Sequence, residues 1–131
     1  MNLHFYRCNV CGKIIAVLSD TKFPTYCCGQ AMQKLIPNQT DGAVEKHVPV
    51  ITAAGNAFHI SVGSDPHPMT ESHSICWIGL CSDHGFFFKE LHPGDLAEAD
   101  FLLTPDDRLT AAYAYCNLHG LWIADNGKET L

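Results

Sequence analysis

The sequence lacks a long uninterrupted apolar run and is poor in basic residues. No apolar segment approaches the length of a membrane span, and the stretch from Met1 to Val10 contains no apolar core of a secretion signal. These absences predict a cytoplasmic protein. Lysine and arginine number only 8 among 131 residues and form no basic stripe, which argues against nucleic acid as a partner. From Val44 onward the sequence also contains no convincing amphipathic helix.

What is present indicates a globular chain rich in thiols. Hydrophobic residues make up 47% and charged residues 17%, a balance typical of a folded protein and not of a disordered one. The sequence has 7 cysteines. An odd number does not suit a framework in which every cysteine is paired in a disulfide, and the chain shows no secretion signal. Because reducing compartments disfavour disulfides, these thiols indicate metal binding or redox chemistry.

Charge divides the sequence into two parts. Residues 1–36 contain four basic residues and Asp20 as the single acidic one, a net charge of +3, whereas the remainder contains four basic and thirteen acidic residues, a net charge of -9. Pro37 to Gly42 is a polar segment rich in turn-forming residues. We therefore predict one domain over residues 1–36 and a second over 37–131.

The second part shows short strand patterns. Apolar and polar or small residues alternate over 57–62, 74–77 and 111–115, and further strand-like runs cover 47–52, 86–91, 100–103 and 121–124. About seven strands in this length predict an all-β fold, an immunoglobulin-like antiparallel sandwich. Pro49 places the first of these strands at a sheet edge.

Successive strands that alternate in direction bring certain connections to one end of such a sandwich. The start of the first strand, the loop between the second and third, and the loop between the sixth and seventh share that end. We therefore expect one cluster of four imidazoles and one thiol, from His47, His67, His73, Cys116 and His119. Each histidine taken singly is more commonly an ordinary hydrogen-bonded residue. Five mixed nitrogen and sulfur donors, one more than a tetrahedral zinc site takes, favour a redox metal with a free position.

The first part carries its own donor group. Cys8 and Cys11 are followed by the adjacent pair Cys27 and Cys28, in a segment too short to bury a core without a metal. A four-cysteine zinc site stays open on spacing alone, although an adjacent pair is unusual for a zinc ribbon. The apolar side of so small a unit also predicts a homodimer.

These motifs resemble those of a known family. Phe5 to Gly12 together with Cys27-Cys28-Gly29 resembles a desulforedoxin domain. Glu45-Lys46-His47, Val62 to Ser64, His67 to Glu71 with His73, and Cys116 to Trp122 resemble the catalytic domain of desulfoferrodoxin, a two-iron superoxide reductase. The similarity covers nearly the whole chain, with the motifs in the same order.

The resemblance implies a tetrahedral iron bound by Cys8, Cys11, Cys27 and Cys28. It also implies a second, catalytic iron with four equatorial histidines (His47, His67, His73 and His119) and Cys116 as the axial ligand. Ferrous iron there would reduce superoxide by one electron to hydrogen peroxide, with a rubredoxin or similar reductase as electron donor. Lys46 would attract superoxide and assist protonation, and Glu45 would ligate the ferric iron.

The sequence also allows other interpretations of Glu45 and Lys46 and of the chain as a whole. Adjacent Glu45 and Lys46 are most simply solvated surface charges, but Lys46 is the only lysine or arginine between positions 35 and 88, which suits it to attract an anion. The chain as a whole could be a non-catalytic metalloprotein, either an electron carrier through the four-cysteine centre or a zinc-stabilised binding module.

Overall fold

The structure is a computed structural model that describes residues 3–39 and 44–125, with Val44 and Glu45 described by their backbone alone. The chain forms two compact units, divided between Ile36 and Pro37. Among the described residues, no helix has the length and apolar character needed to cross a bilayer. Within these described ranges the secondary structure is all-β apart from one short helix.

The N-terminal unit consists of five short strands: β1 (His4–Arg7), β2 (Ile14–Val17), β3 (Tyr26–Cys27), β4 (Gln30–Ala31) and β5 (Gln33–Lys34). The first three-stranded sheet has the order β2-β1-β5, and β3 with β4 forms a separate hairpin. The buried side chains of this unit are few: Leu3, Phe5, Cys8 and Met32. So small an apolar interior supplies little free energy, which is why a metal centre matters to its stability.

The second unit is a seven-stranded antiparallel sandwich, as the alternation patterns predict. A short helix, α1 (Val44–His47), precedes the strands β6 (Pro49–Ala54), β7 (Ala57–Val62), β8 (Ile75–Ser82), β9 (Phe86–Glu90), β10 (Glu98–Leu102), β11 (Leu109–Cys116) and β12 (Gly120–Asp125). One sheet has the order β10-β7-β6 and the other the order β12-β11-β8-β9. Pro49 begins the edge strand β6, as expected of a residue without a backbone donor. The fourth strand of the sandwich joins the sheet of the third, whereas in constant immunoglobulin domains it joins the sheet of the first.

The core lies between these sheets, and small side chains are prominent in it. Ala112, Ala114 and Cys116 of β11 face Ile60 and other aliphatic residues in the core cluster. The alternate residues Tyr113 and Tyr115 lie on the other face of that sheet, where Tyr115 stacks with Trp77 at 5.8 Å between ring centroids. Strand β11 is therefore buried on both faces, and its last residue, Cys116, is fully buried.

The prediction that the sandwich opens directly with a strand at His47 is wrong in its local detail. His47 is the last residue of α1, and the strand begins at Pro49. A four-residue helix is too short to show a 3.6-residue pattern, so nothing in the sequence distinguishes it from a strand end.

Candidate metal centres

The first centre begins at the turn after β1. Two backbone N–H groups, from Val10 and Cys11, each donate to the Cys8 sulfur at 3.4 Å. Gly12 N–H donates to the Cys8 carbonyl at 2.9 Å and has a φ of 82°, a conformation that glycine adopts at little cost. The Cys11 N–H above all, with that of Val10, stabilises the thiolate and lowers the pKa of Cys8 to about 6.

The adjacent cysteine pair reaches the same centre through a tight hairpin. Cys27 ends β3, and the two loop residues Cys28 and Gly29 have φ values of 53° and 76°. Positive φ at both loop positions is the requirement of a type I′ turn. This turn redirects the second thiol, which in an extended chain would point away from the first.

The four sulfur atoms of Cys8, Cys11, Cys27 and Cys28 lie within 4.8 Å of one another. Contact with the Cys11 thiol raises the pKa of Cys28 to about 12, because neighbouring sulfurs that share one site cannot all be anionic without a counter-charge. A bound metal cation would supply that counter-charge. The donor set fits a tetrahedral iron or zinc ion.

The second centre is assembled from three connections at one end of the sandwich. They are α1, which carries His47; the loop between β7 and β8, which carries His67 and His73; and the end of β11 with its turn, which carries Cys116 and His119. The structure therefore brings together the five side chains that the sequence places at one end.

The ring nitrogens of this centre are arranged as a shared cation requires. His47 Nε2 lies 3.2 Å from His67 Nε2 and 3.1 Å from His119 Nδ1. One proton on His47 can bridge one of these contacts but not both, whereas one cation can be bound by all three nitrogens. His47 is 2% exposed and His67 is 5% exposed, so water does not compete freely for these atoms.

His67 is fixed in the tautomer that leaves Nε2 free to bind a metal. Its Nδ1 donates to the Pro68 carbonyl at 2.6 Å, which directs the lone pair of Nε2 into the cluster. Burial lowers the pKa of His67 to about 4, and the nearby imidazoles reinforce this effect. The ring is therefore neutral, the state that ligates metals, throughout the neutral range.

His73 shows the clearest sign of a missing partner. Its Nε2 is a buried nitrogen without a hydrogen bond among the described residues, a condition that native proteins rarely leave unexplained. Burial, with a smaller contribution from His119, lowers its pKa. A metal ion in the cluster would satisfy this atom.

Cys116 completes the group. It is fully buried, and its sulfur lies 3.7 Å from His119 Nδ1. Burial raises the pKa of the thiol, although backbone N–H groups of His119 and Leu118 favour the thiolate. Metal binding would displace the proton and give the sulfur the charge that those N–H groups are placed to stabilise. Four imidazoles and one thiolate thus fit a redox-active transition metal, with iron among the metals this set suits.

Two residues expected to act at this centre, Glu45 and Lys46, directly precede His47 in the chain. Lys46 directly precedes His47 in α1, and its side chain is exposed. The Glu45 side chain lies outside the part of the chain that the structure describes.

Two supporting residues, Thr70 and Trp122, were given no role from the sequence. Thr70 bonds both the N–H and the carbonyl of His73, and the Trp122 indole donates to the His119 carbonyl at 3.0 Å. A threonine three residues before a loop ligand was the available signal for the first.

The two donor groups define a protein with two metal centres of different chemistry, one sulfur-only and one mainly imidazole. Two family models match the chain: desulfoferrodoxin over residues 39–125, and the desulfoferrodoxin N-terminal domain over residues 2–35. The chain belongs to the desulfoferrodoxin family.

Individual relatives agree with this assignment. The desulfoferrodoxin of Nitratidesulfovibrio vulgaris is 44% identical over 120 residues, which cover 92% of this chain and 94% of the relative. A desulfoferrodoxin homolog of Archaeoglobus fulgidus is 43% identical over the same coverage of both chains. Among solved structures, the superoxide reductase from Treponema pallidum is 32% identical, with a TM-score of 0.81 over 95% of this chain and 100% of that chain.

Proposed function

We propose that this chain is a superoxide reductase that removes superoxide by one-electron reduction to hydrogen peroxide. The observation that carries the proposal is the cluster of His47, His67, His73, His119 and Cys116, whose donor atoms converge at one end of the sandwich. Its five ligands leave one position of an octahedron for a small substrate. Ferrous iron bound there would supply the single electron, and two protons complete the conversion of superoxide to hydrogen peroxide.

We propose that the protein residues set how this iron reacts. Cys116, buried and approached by backbone N–H groups, would bind the iron as a thiolate and donate electron density to it. The four histidines would bind the iron as neutral imidazoles, a role that the lowered pKa values of His67 and His73 favour. His47, His67 and Cys116 are buried, which limits the access of water to their donor atoms and strengthens the electrostatic interactions among them.

We further propose a role for the two residues before His47. Lys46, an exposed cation in a unit of net negative charge, would attract superoxide and hold a proton at Nζ for the product. Glu45 would ligate the ferric iron after turnover, as the family resemblance implies. Its contribution is tested by comparing the spectrum of the oxidised Glu45→Ala protein with that of wild type.

The four-cysteine centre would carry iron and exchange single electrons. Cys11 and Cys28 are exposed, which leaves the sulfur edge of that centre accessible to a redox partner. We propose a rubredoxin-like protein or another reductase as the donor. Mixing the oxidised protein with a reduced candidate donor and following the visible absorption of both would test each partner directly.

We also propose that the chain is a cytoplasmic homodimer. All seven cysteines, each within the described residues, are free thiols, which suits a reducing compartment. In the N-terminal unit the large apolar side chains of Val10, Leu18, Phe23, Tyr26 and Ile36 are more than half exposed. A second copy of the chain would cover such side chains, and sedimentation equilibrium of the iron-loaded protein tests this state.

The experiment that tests the main proposal is the reaction of the ferrous protein with pulsed superoxide. A reductase consumes superoxide in a second-order reaction and yields hydrogen peroxide without dioxygen. An electron carrier or a zinc-stabilised binding module would leave the decay of superoxide unchanged.

A further inference from the structure

Asn117 links the two ligand-bearing loops of the second centre. It follows Cys116 directly, in the turn that also carries His119. Its side chain crosses to the β7–β8 loop, where Oδ1 accepts from Ser74 N–H at 3.0 Å and Nδ2 donates to the Ser72 carbonyl at 3.0 Å. Ser72 and Ser74 are the residues on either side of His73. The Asn117 side-chain amide therefore bonds the backbone both before and after His73, a candidate ligand in the other loop.

The peptide groups of His73 itself are hydrogen-bonded to Thr70. Its N–H donates to Thr70 Oγ1 at 3.1 Å, and its carbonyl accepts from Thr70 N–H at 2.9 Å. Asn117 adds a third bond between the loops, from its own N–H to the Ser74 carbonyl at 3.2 Å. Three hydrogen bonds thus connect the backbone on both sides of His73 to Asn117, the residue that directly follows Cys116.

We propose that Asn117 is a positioning residue that sets the place of His73 relative to Cys116 and His119, and thereby how firmly the second centre holds its metal. This inference rests on the proposed function only in taking the cluster to be a metal centre. His73 needs such support, since its ring lies in a loop and its Nε2 has no hydrogen-bond partner among the described residues. Groups that orient a ligand commonly change metal affinity by about 10-fold to 100-fold when removed.

Asn38 is a matched control, because its side chain bonds the backbone of a residue that is not next to a proposed metal ligand. Asn38 makes the same pair of bonds to one strand: its Oδ1 accepts from Ile123 N–H at 3.0 Å, and its Nδ2 donates to the Ile123 carbonyl at 3.3 Å. Asn38 has a φ of 60°, so glycine is the replacement that avoids backbone strain there. Loss of this amide removes as many side-chain bonds as loss of the Asn117 amide does.

The test compares Asn117→Ala with Asn38→Gly in the full-length, iron-loaded protein. Iron release to excess ferrozine under anaerobic conditions is followed, with loss of the second centre read from its thiolate-to-iron absorption after oxidation. We expect Asn117→Ala to speed release from the second centre at least about 10-fold and to leave the four-cysteine iron unaffected. Asn38→Gly should change release less than about 2-fold, although both variants lower the urea midpoint of the iron-free protein.

A second variant keeps the test valid if Asn117→Ala fails to fold. Asn117→Asp retains the acceptor for Ser74 N–H but loses the donor to the Ser72 carbonyl. Its added negative charge near a cation should slow iron release, so faster release must come from the lost bond. Release from both Asn117 variants at the rate of Asn38→Gly would overturn the inference. Because the readout needs no superoxide, that outcome is distinct from failure of the proposed reaction.

Discussion

The Trp122 indole stacks on the His47 imidazole, with ring centroids 4.8 Å apart and an interplanar angle of 22°. The same indole donates from Nε1 to the carbonyl of His119 at 3.0 Å. Trp122 is 2% exposed, so it holds two ligands of the second centre from within the sandwich. One apolar core residue is thus also part of the frame around the metal site.

Trp122→Phe should retain a stacked ring but leave the His119 carbonyl without its donor. We expect a loss of about 0.5–1.5 kcal/mol in the free energy of unfolding, the net contribution of one typical hydrogen bond, because this bond is only partly buried. The thiolate-to-iron absorption of the second centre should shift as well. Trp77→Phe is the control, because Trp77 packs against Phe88 and Tyr115 on the outer face of its sheet. Equal spectra for both variants would show that Trp122 only fills space.

Lys46→Ala should lower the second-order rate constant with superoxide by roughly 10-fold, the lower range for electrostatic steering. The wild-type rate should fall as salt is added, whereas the variant should respond little, since screening acts on the attraction that has been removed. Lys89→Ala carries the same charge change on the same unit and should behave as wild type. A wild-type rate and salt response in Lys46→Ala would eliminate steering by this residue.

Acidification should destabilise the iron-free protein through His67. The pKa of this ring falls from its usual 6.5 to about 4 on folding, because burial disfavours its charged form. Between those values the unfolded chain binds more protons than the folded one, so the stabilisation is full above about pH 6.5 and is lost as pH falls towards 4.

Urea unfolding of the iron-free protein across that pH range measures this dependence. His67→Gln cannot titrate there, and its stability should fall less steeply than that of wild type. His73, whose pKa is also lowered by burial, should account for part of the remaining slope. The same slope in wild type and His67→Gln would contradict the assignment.

Cys8→Ser should remove the N-terminal iron and leave the reaction with superoxide within about 2-fold of wild type. Cys8 is 1% exposed, and its sulfur accepts two backbone N–H bonds. Serine has no thiol and so cannot supply the thiolate that binds the metal. All five donors of the other centre belong to the sandwich unit. Iron analysis with pulsed superoxide checks both statements, and a large loss of rate would show that the N-terminal centre is required for turnover.

The sequence predicted the sandwich well because its strands follow a two-residue period. Alternation at Phe58, Ile60 and Val62 corresponds to β7, and the topology of alternating strands placed the histidines of separate loops at one end. The short helix at His47 was not predictable, because four residues contain no helical period. The assignment of individual ligands and of the domain limits remains a prediction.

Contacts that cross between loops were beyond the sequence. In the sequence Asn117 has the character of an ordinary turn residue. Its hydrogen-bond partners, Ser72 and Ser74, are more than forty positions away. The outward placement of Tyr113 and Tyr115 was similarly hidden, since both alternating sets of β11 are apolar or small. Only the packing of neighbouring strands decides which set faces the core.

The most direct test of the account is iron content together with the reaction of anaerobic ferrous protein with superoxide. We predict about two irons per chain, a new thiolate-to-iron absorption band as the second centre is oxidised, and hydrogen peroxide without dioxygen. A colourless zinc protein with no spectral response and no effect on superoxide decay would contradict the central claim.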